Sequence, residues 1–115
     1  MQINLNNSRV ALDMAVRVAG EVGAEVLVLS EVGPDTRGVQ VFKDLTGSVG
    51  IMVTGDRLIV DKVGQGVGFV WVLLENVFVY SVYLPPNDTL VQLEWRLDGL
   101  GEAVRENGRA KAIVA

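Results

Sequence analysis

An α/β fold, a mixed sheet with two helices, is what the 115-residue sequence predicts, and three features predict it. Val26-Leu27-Val28-Leu29-Ser30 is a continuous apolar run of strand length, the pattern of a strand buried on both faces as in a parallel sheet. Two segments, one near each end of the chain, repeat apolar residues at helical spacing. Between them lie Val-rich runs separated by short turns, which mark antiparallel strands.

The elements follow in order. Gln2–Leu5 reads as a short strand that stops at Asn6-Asn7-Ser8. A helix runs from about Arg9 to Val22, with Asn7 or Ser8 as N-cap. Ala11, Leu12, Ala15, Val18, Ala19 and Val22 form its apolar stripe, and Gly23 supplies the stop. Gly20 inside it costs about 1 kcal/mol against Ala. With Val26–Ser30 the opening becomes strand, helix, strand, a right-handed crossover unit. Glu31 to about Ser48, containing Gly33-Pro34-Asp35, reads as a long polar connection, a length uncommon in compact domains unless the loop works or moves.

Four strands are then expected at Val49–Val53, Leu58–Val63, Phe69–Leu74 and Val77–Tyr83, antiparallel to their neighbours across turns such as Thr54-Gly55-Asp56 and Glu75-Asn76. Leu84-Pro85-Pro86-Asn87-Asp88 breaks the run. The second helix spans about Thr89 to Asn107, with a Thr89/Gln92 capping box and a stripe of Leu90, Leu93, Leu97, Leu100 and Val104, and Gly108 ends it. Ala110–Ala115 opens another buried-type strand. With the pairing of that strand only begun, residues 1–115 read as one partial domain, cut on its C-terminal side. Neither an internal repeat nor a low-complexity tract interrupts it.

Half of the residues are apolar and 21% are charged, the balance of a folded globular chain. Fourteen acids against ten bases give a net charge of −4, which argues against a whole-surface electrostatic grip on nucleic acid or anionic membrane. The sequence contains no Cys and no His, so thiol chemistry, Cys/His zinc sites and an imidazole base within these residues are excluded. The longest apolar stretch, Val67 to Leu74, is far shorter than the roughly 20 residues of a membrane helix. No secretory signal is visible at Met1-Gln2-Ile3-Asn4, and an intracellular protein is expected.

Ligands of open α/β sheets bind beyond the carboxyl ends of strands. Asn4, Glu31 and Tyr83 all stand at such ends. If the first two strands are parallel neighbours, Asn4 and Glu31 emerge at one rim. A carboxylate beside an amide can hold Mg²⁺, which keeps several waters for a phosphate to displace, and a nearby phenol could orient a phosphate oxygen. Each also has an ordinary structural reading: a local turn for Asn4, a solvated strand-end charge for Glu31, a half-buried strand residue for Tyr83. Gly64-x-Gly66-x-Gly68 lacks dinucleotide-site spacing and reads as a flexible turn entering a strand. Trp71 and Trp95 read as packing residues, since nothing basic interleaves them. Arg9, Arg17, Arg37, Lys43, Arg57 and Lys62 are scattered among acids as ordinary surface.

Taken together, Asn4-Leu5-Asn6 before a helix, Val26–Glu31, Gly68-Phe69-Val70-Trp71-Val72 and Val79-Tyr80-Ser81-Val82-Tyr83-Leu84-Pro85-Pro86-Asn87 resemble the endonuclease/exonuclease/phosphatase superfamily. More closely they resemble the apurinic-like endonuclease domain at the start of the pol polyprotein of non-LTR retrotransposons. The resemblance implies the N-terminal half of a four-layer α/β sandwich of the deoxyribonuclease-I-like kind. It implies Mg²⁺-dependent phosphodiester hydrolysis that nicks target DNA to prime reverse transcription, in the nucleus. By the same resemblance Glu31 matches the metal-binding Glu, Asn4 the Asn of the active-site hydrogen-bond network, and Tyr83 the Tyr that contacts the scissile phosphate. Asn87 matches a nucleic-acid-binding Asn, set one residue further from Tyr83 by Pro85-Pro86.

Two departures matter. Val32 stands where the family commonly has Pro after the metal Glu. The Gly-Asp-x-Asn motif that follows a strand resembling Ala112-Ile113-Val114-Ala115 is missing, as are the later Asp and the Asp-His pair. The resemblance therefore implies half of an active site, an inactive isolated chain, a missing C-terminal half as partner, and self-association through an apolar sheet face left uncovered. The competing readings are a non-catalytic interaction module or relic, using the open sheet face or the 31–48 connection, and a small-phosphoester hydrolase of the same superfamily.

Overall fold

The computed structural model describes residues 1–54, 58–85, 87–108 and 111–114. Gly55, Asp56 and Arg57 of the expected turn and surface, Pro86 of the helix-breaking segment, and Ala110 and Ala115 of the expected last strand lie outside the described residues.

Eight strands and two helices follow one another as β1 (Gln2–Asn4), α1 (Arg9–Val22), β2 (Val26–Ser30), β3 (Val41–Lys43), β4 (Val49–Val53), β5 (Val60–Gly66), β6 (Phe69–Leu74), β7 (Val77–Val82), α2 (Leu90–Asn107) and β8 (Lys111–Val114). They form two four-stranded mixed sheets, ordered β1-β2-β4-β3 and β5-β6-β7-β8. The crossover unit is present, with β1 parallel to β2 and Asn4 level with Ser30 on the last rung. In the second sheet β5, β6 and β7 are antiparallel, and β8 joins β7 in parallel.

Three corrections to the sequence reading follow. A single mixed sheet with its partner elsewhere was the expectation, whereas these residues build both sheets. The short 54–59 connection does not join hairpin neighbours: β4 pairs with β2 and β3, and β5 begins the other sheet. The 31–48 connection is not wholly irregular either, since β3 lies within it.

Side-chain alternation sorts the layers. Leu27 and Leu29 of β2 and Met52 of β4 face α1 and join Leu12, Ala15 and Ala19 in one buried cluster. The alternate residues, Val26, Val28 and Ile51, face the second sheet and meet Val70, Val72, Leu74 and Val79. The two inner faces therefore cover each other, rather than leaving an apolar sheet face uncovered. On the outer face of the second sheet Trp71 packs edge-on against Phe78 at 5.5 Å, with Tyr80 beside them. Gly64 and Gly66 are strand residues rather than a flexible turn. A side chain at either would collide with the rings of Trp71 and Phe69, their cross-strand partners.

Helix ends obey local chemistry. The Ser8 hydroxyl accepts the Ala11 N–H and caps α1, and Gly23 closes it at φ 73°. The Thr89/Gln92 capping box is formed at α2. No α2 residue is fully buried. Of its expected stripe, Leu90 and Leu97 are exposed while Leu93, Leu100 and Val104 are half-buried. One polar contact ties the helix to the second sheet, Asn107 Nδ2 donating to the Tyr80 hydroxyl at 2.8 Å, while Arg96 pairs at 2.6 Å with Asp88 in the turn that leads into the helix.

Candidate functional site

The Asn6-Asn7 turn after β1 and the Glu31–Gly33 turn after β2 lie against each other. Asn6, Asn7, Glu31 and Gly33 all have left-handed backbone, at φ 51°, 58°, 49° and 76°. Asn adopts that region readily; Glu does not, and it holds the region at a cost of about 1 kcal/mol. What keeps it there is a set of backbone bonds. The Leu5 N–H donates to the Ser30 carbonyl at 2.9 Å, the Asn7 N–H to the Glu31 carbonyl at 2.7 Å, and the Val32 N–H to the Ser48 carbonyl at 3.0 Å. A Cβ on Gly33 would touch the Asn7 backbone, so glycine is what lets the two turns approach.

Asn4, on the inward-facing side of edge strand β1, uses its Oδ1 to accept the Asn6 N–H at 2.9 Å. This is the local turn of its structural reading, and it fixes the side chain. Tyr83 comes from the other sheet, immediately after β7, where its N–H donates to the Gly68 carbonyl at 2.9 Å. Asn4 and Tyr83 meet as walls of one cavity of about 290 Å³, lined also by Gln2, Val28, Ser30, Ser81 and Val82. Glu31 is half-buried at the adjoining rim, directly after Ser30. Thus Asn4 and Tyr83 share a cavity, and Glu31, the residue after Ser30, is not among its walls. Asn87 lies exposed in the turn before α2 and is not among the cavity walls.

The sequence reading passed over three polar residues. Ser30 and Ser81 line the cavity, and the buried Ser81 hydroxyl donates to the Leu29 carbonyl at 3.4 Å, bridging the two sheets. Alternation along β2 and β7 would have placed both on inward faces. The third is Asp44, 4% exposed, in the turn between β3 and β4. Burial alone would raise its pKa. The Thr46 hydroxyl and the N–H groups of Val49, Gly68 and Thr46 outweigh that, and the carboxyl is held below the ordinary aspartate value.

The charge here is modest. Among the described residues no group of three acidic side chains converges as a metal cage. Magnesium does not demand one: it is commonly held by one or two carboxylates with phosphate and water completing the shell. Glu31, at the end of β2, is one such carboxylate.

No family model matches the chain, and no curated protein matches it. Among solved structures it is similar to one described as "Endonuclease domain of TRAS1, a telomere-specific non-LTR retrotransposon", with a TM-score of 0.74 and 21% sequence identity. The superposition covers 98% of this chain and 56% of that one. The chain therefore has the fold of an endonuclease domain over about half of that domain's length.

Proposed function

We propose that this chain is the N-terminal part of a Mg²⁺-dependent DNA endonuclease domain of the non-LTR retrotransposon kind, with a target phosphodiester seated at the cavity between β1, β2 and β7. The observation that supports this reading is that Asn4 and Tyr83, from two different sheets, line one cavity with Ser30, the residue before Glu31, in a fold shared with the TRAS1 endonuclease domain.

Each residue has a distinct part. Glu31 is the acidic ligand, held at the rim by a backbone conformation its side chain does not favour. Tyr83 offers a phenol hydrogen to a non-bridging phosphate oxygen, and Asn4, its Oδ1 already engaged, offers its amide hydrogens. Ser30 and Ser81 add hydroxyls to the cavity wall. Bound Mg²⁺ would supply Lewis-acid polarisation of the phosphate. The sequence has no His to take the proton from a water nucleophile, so the 115 residues are assigned phosphate and metal binding, and turnover is assigned to the domain completed by a C-terminal half. The same reading places the protein on nuclear DNA; no described helix is long and apolar enough to cross a membrane.

The test is an NMR titration with a short DNA duplex, with and without Mg²⁺. The reading expects the signals of Asn4 and Tyr83 to move with duplex only when Mg²⁺ is present, and expects Glu31→Gln to remove the effect. Movement with a small phosphomonoester but not with duplex would make the chain part of a small-phosphoester hydrolase. No cavity response to either would leave a non-catalytic interaction module.

A further inference from the structure

Asp44 lies outside the cavity, yet one of its carboxylate oxygens leads to Val32, after Glu31, and the other to Tyr83, a cavity wall. Oδ1 accepts the Ser48 N–H at 2.9 Å, and the Ser48 carbonyl accepts the N–H of Val32, the residue after Glu31, at 3.0 Å. Oδ2 accepts the Gly68 N–H at 2.8 Å, and the Gly68 carbonyl accepts the Tyr83 N–H at 2.9 Å. One buried carboxylate therefore stands two hydrogen bonds from the backbone beside Glu31 in the first sheet and two from that of Tyr83 in the second.

Other contacts make these paths stiff. Oδ1 also accepts the Val49 N–H at 3.1 Å, and Oδ2 the Thr46 hydroxyl at 2.7 Å, which fixes the carboxylate plane. Gly68 has φ 84°, and a Cβ there would press on the Tyr83 carbonyl and the Arg96 guanidinium, each at 3.0 Å. The N–H of Leu45 donates to the Gly66 carbonyl at 2.9 Å, a second tie between the Asp44 turn and the second sheet. A turn needing only internal closure would not send a carboxylate oxygen to the other sheet.

We propose that Asp44 is a positioning residue: it sets the placement of the Glu31 turn relative to Tyr83, and so the shape of the metal–phosphate site between the two sheets. This rests on the assignment of Glu31 and Tyr83 to that site. Asp44 touches neither phosphate nor metal and acts through Ser48 and Gly68.

Two measurements test it. In the first, the Glu31→Gln chain, which lacks the carboxyl next to Val32, is taken from neutral to acid pH while amide signals are followed. Lys43, which donates to the Gly33 carbonyl at 3.4 Å, and Arg96, paired with Asp88, are the charged groups bordering the two paths. The expected result is that Ser48, Gly68, Val32 and Tyr83 shift with one midpoint shared with the Asp44 carboxyl carbon. Separate midpoints for Val32 and Tyr83, or a shift in only one of them, would overturn the proposal. In the second, Mn²⁺ affinity is measured for Asp44→Asn. A roughly tenfold loss is expected with the fold retained, and unchanged affinity in a folded variant would also overturn it. Should Asp44→Asn not fold, the first measurement decides alone. Mn²⁺ binding that survives Glu31→Gln would instead remove the metal-site reading, and the shared midpoint would still report on Asp44.

Discussion

The Asn7 N–H donates to the Glu31 carbonyl at 2.7 Å, and both residues are left-handed, at φ 58° and 49°. Two turns after two parallel strands thus hold each other in place, and one of them forces a glutamate into backbone better suited to glycine or asparagine.

Replacing Glu31 by Gly should relieve that strain. Unfolding in urea is expected to show stability unchanged or raised by up to about 1 kcal/mol, together with loss of metal binding. A loss of more than about 1 kcal/mol would mean that the side chain serves the fold rather than a site.

Glycines of this chain should split sharply by location. Gly64→Ala places a methyl group in the Trp71 ring and is expected to cost about 1–3 kcal/mol. Gly20→Ala, in α1 with open space around it, is expected to stabilise by about 0.5–1 kcal/mol. Denaturant midpoints of the two variants check both signs.

Asp44 should make stability fall in acid. Its folded pKa is lowered, so its contribution is fully present above the unfolded value of about 3.9 and is lost as pH falls through the folded value. Asp44→Asn is expected to cost about 3 kcal/mol at neutral pH, since buried N–H donors lose their acceptor. The gap between the two proteins should narrow as the pH is lowered below about 4. A gap independent of pH would contradict this account of the carboxylate.

At α2 the ends should matter more than the outward face. Thr89→Ala removes the capping box and is expected to cost about 1 kcal/mol. Trp95→Gln, at a residue 62% exposed, is expected to stay within about 0.5 kcal/mol. Thermal unfolding of the two variants distinguishes them.

Local chemistry made much of the fold legible. Ser8, Gly23 and the Thr89/Gln92 pair marked helix ends because caps are satisfied within a few residues. Asn4, Glu31 and Tyr83 could be singled out because strand ends are local features too. Sheet membership is not local: periodicity along Val49–Val53 and Val60–Gly66 tells which residues face inward, but not that the chain changes sheets between them. β3 is three residues in a polar stretch, too short to show a period. Gly64 and Gly66 looked like a turn because the rings that require their smallness lie on the neighbouring strand. Asp44 resembled any loop aspartate, since its decisive partner, Gly68, is brought to it only by packing of the sheets.

The most direct test of the central claim is paramagnetic broadening of the chain's NMR signals by Mn²⁺, a substitute for Mg²⁺. The account predicts broadening centred on Glu31 and reaching Asn4, Ser30 and Tyr83, absent from Glu31→Gln. Broadening centred elsewhere, or the same in wild type and variant, would contradict a metal–phosphate site at this rim.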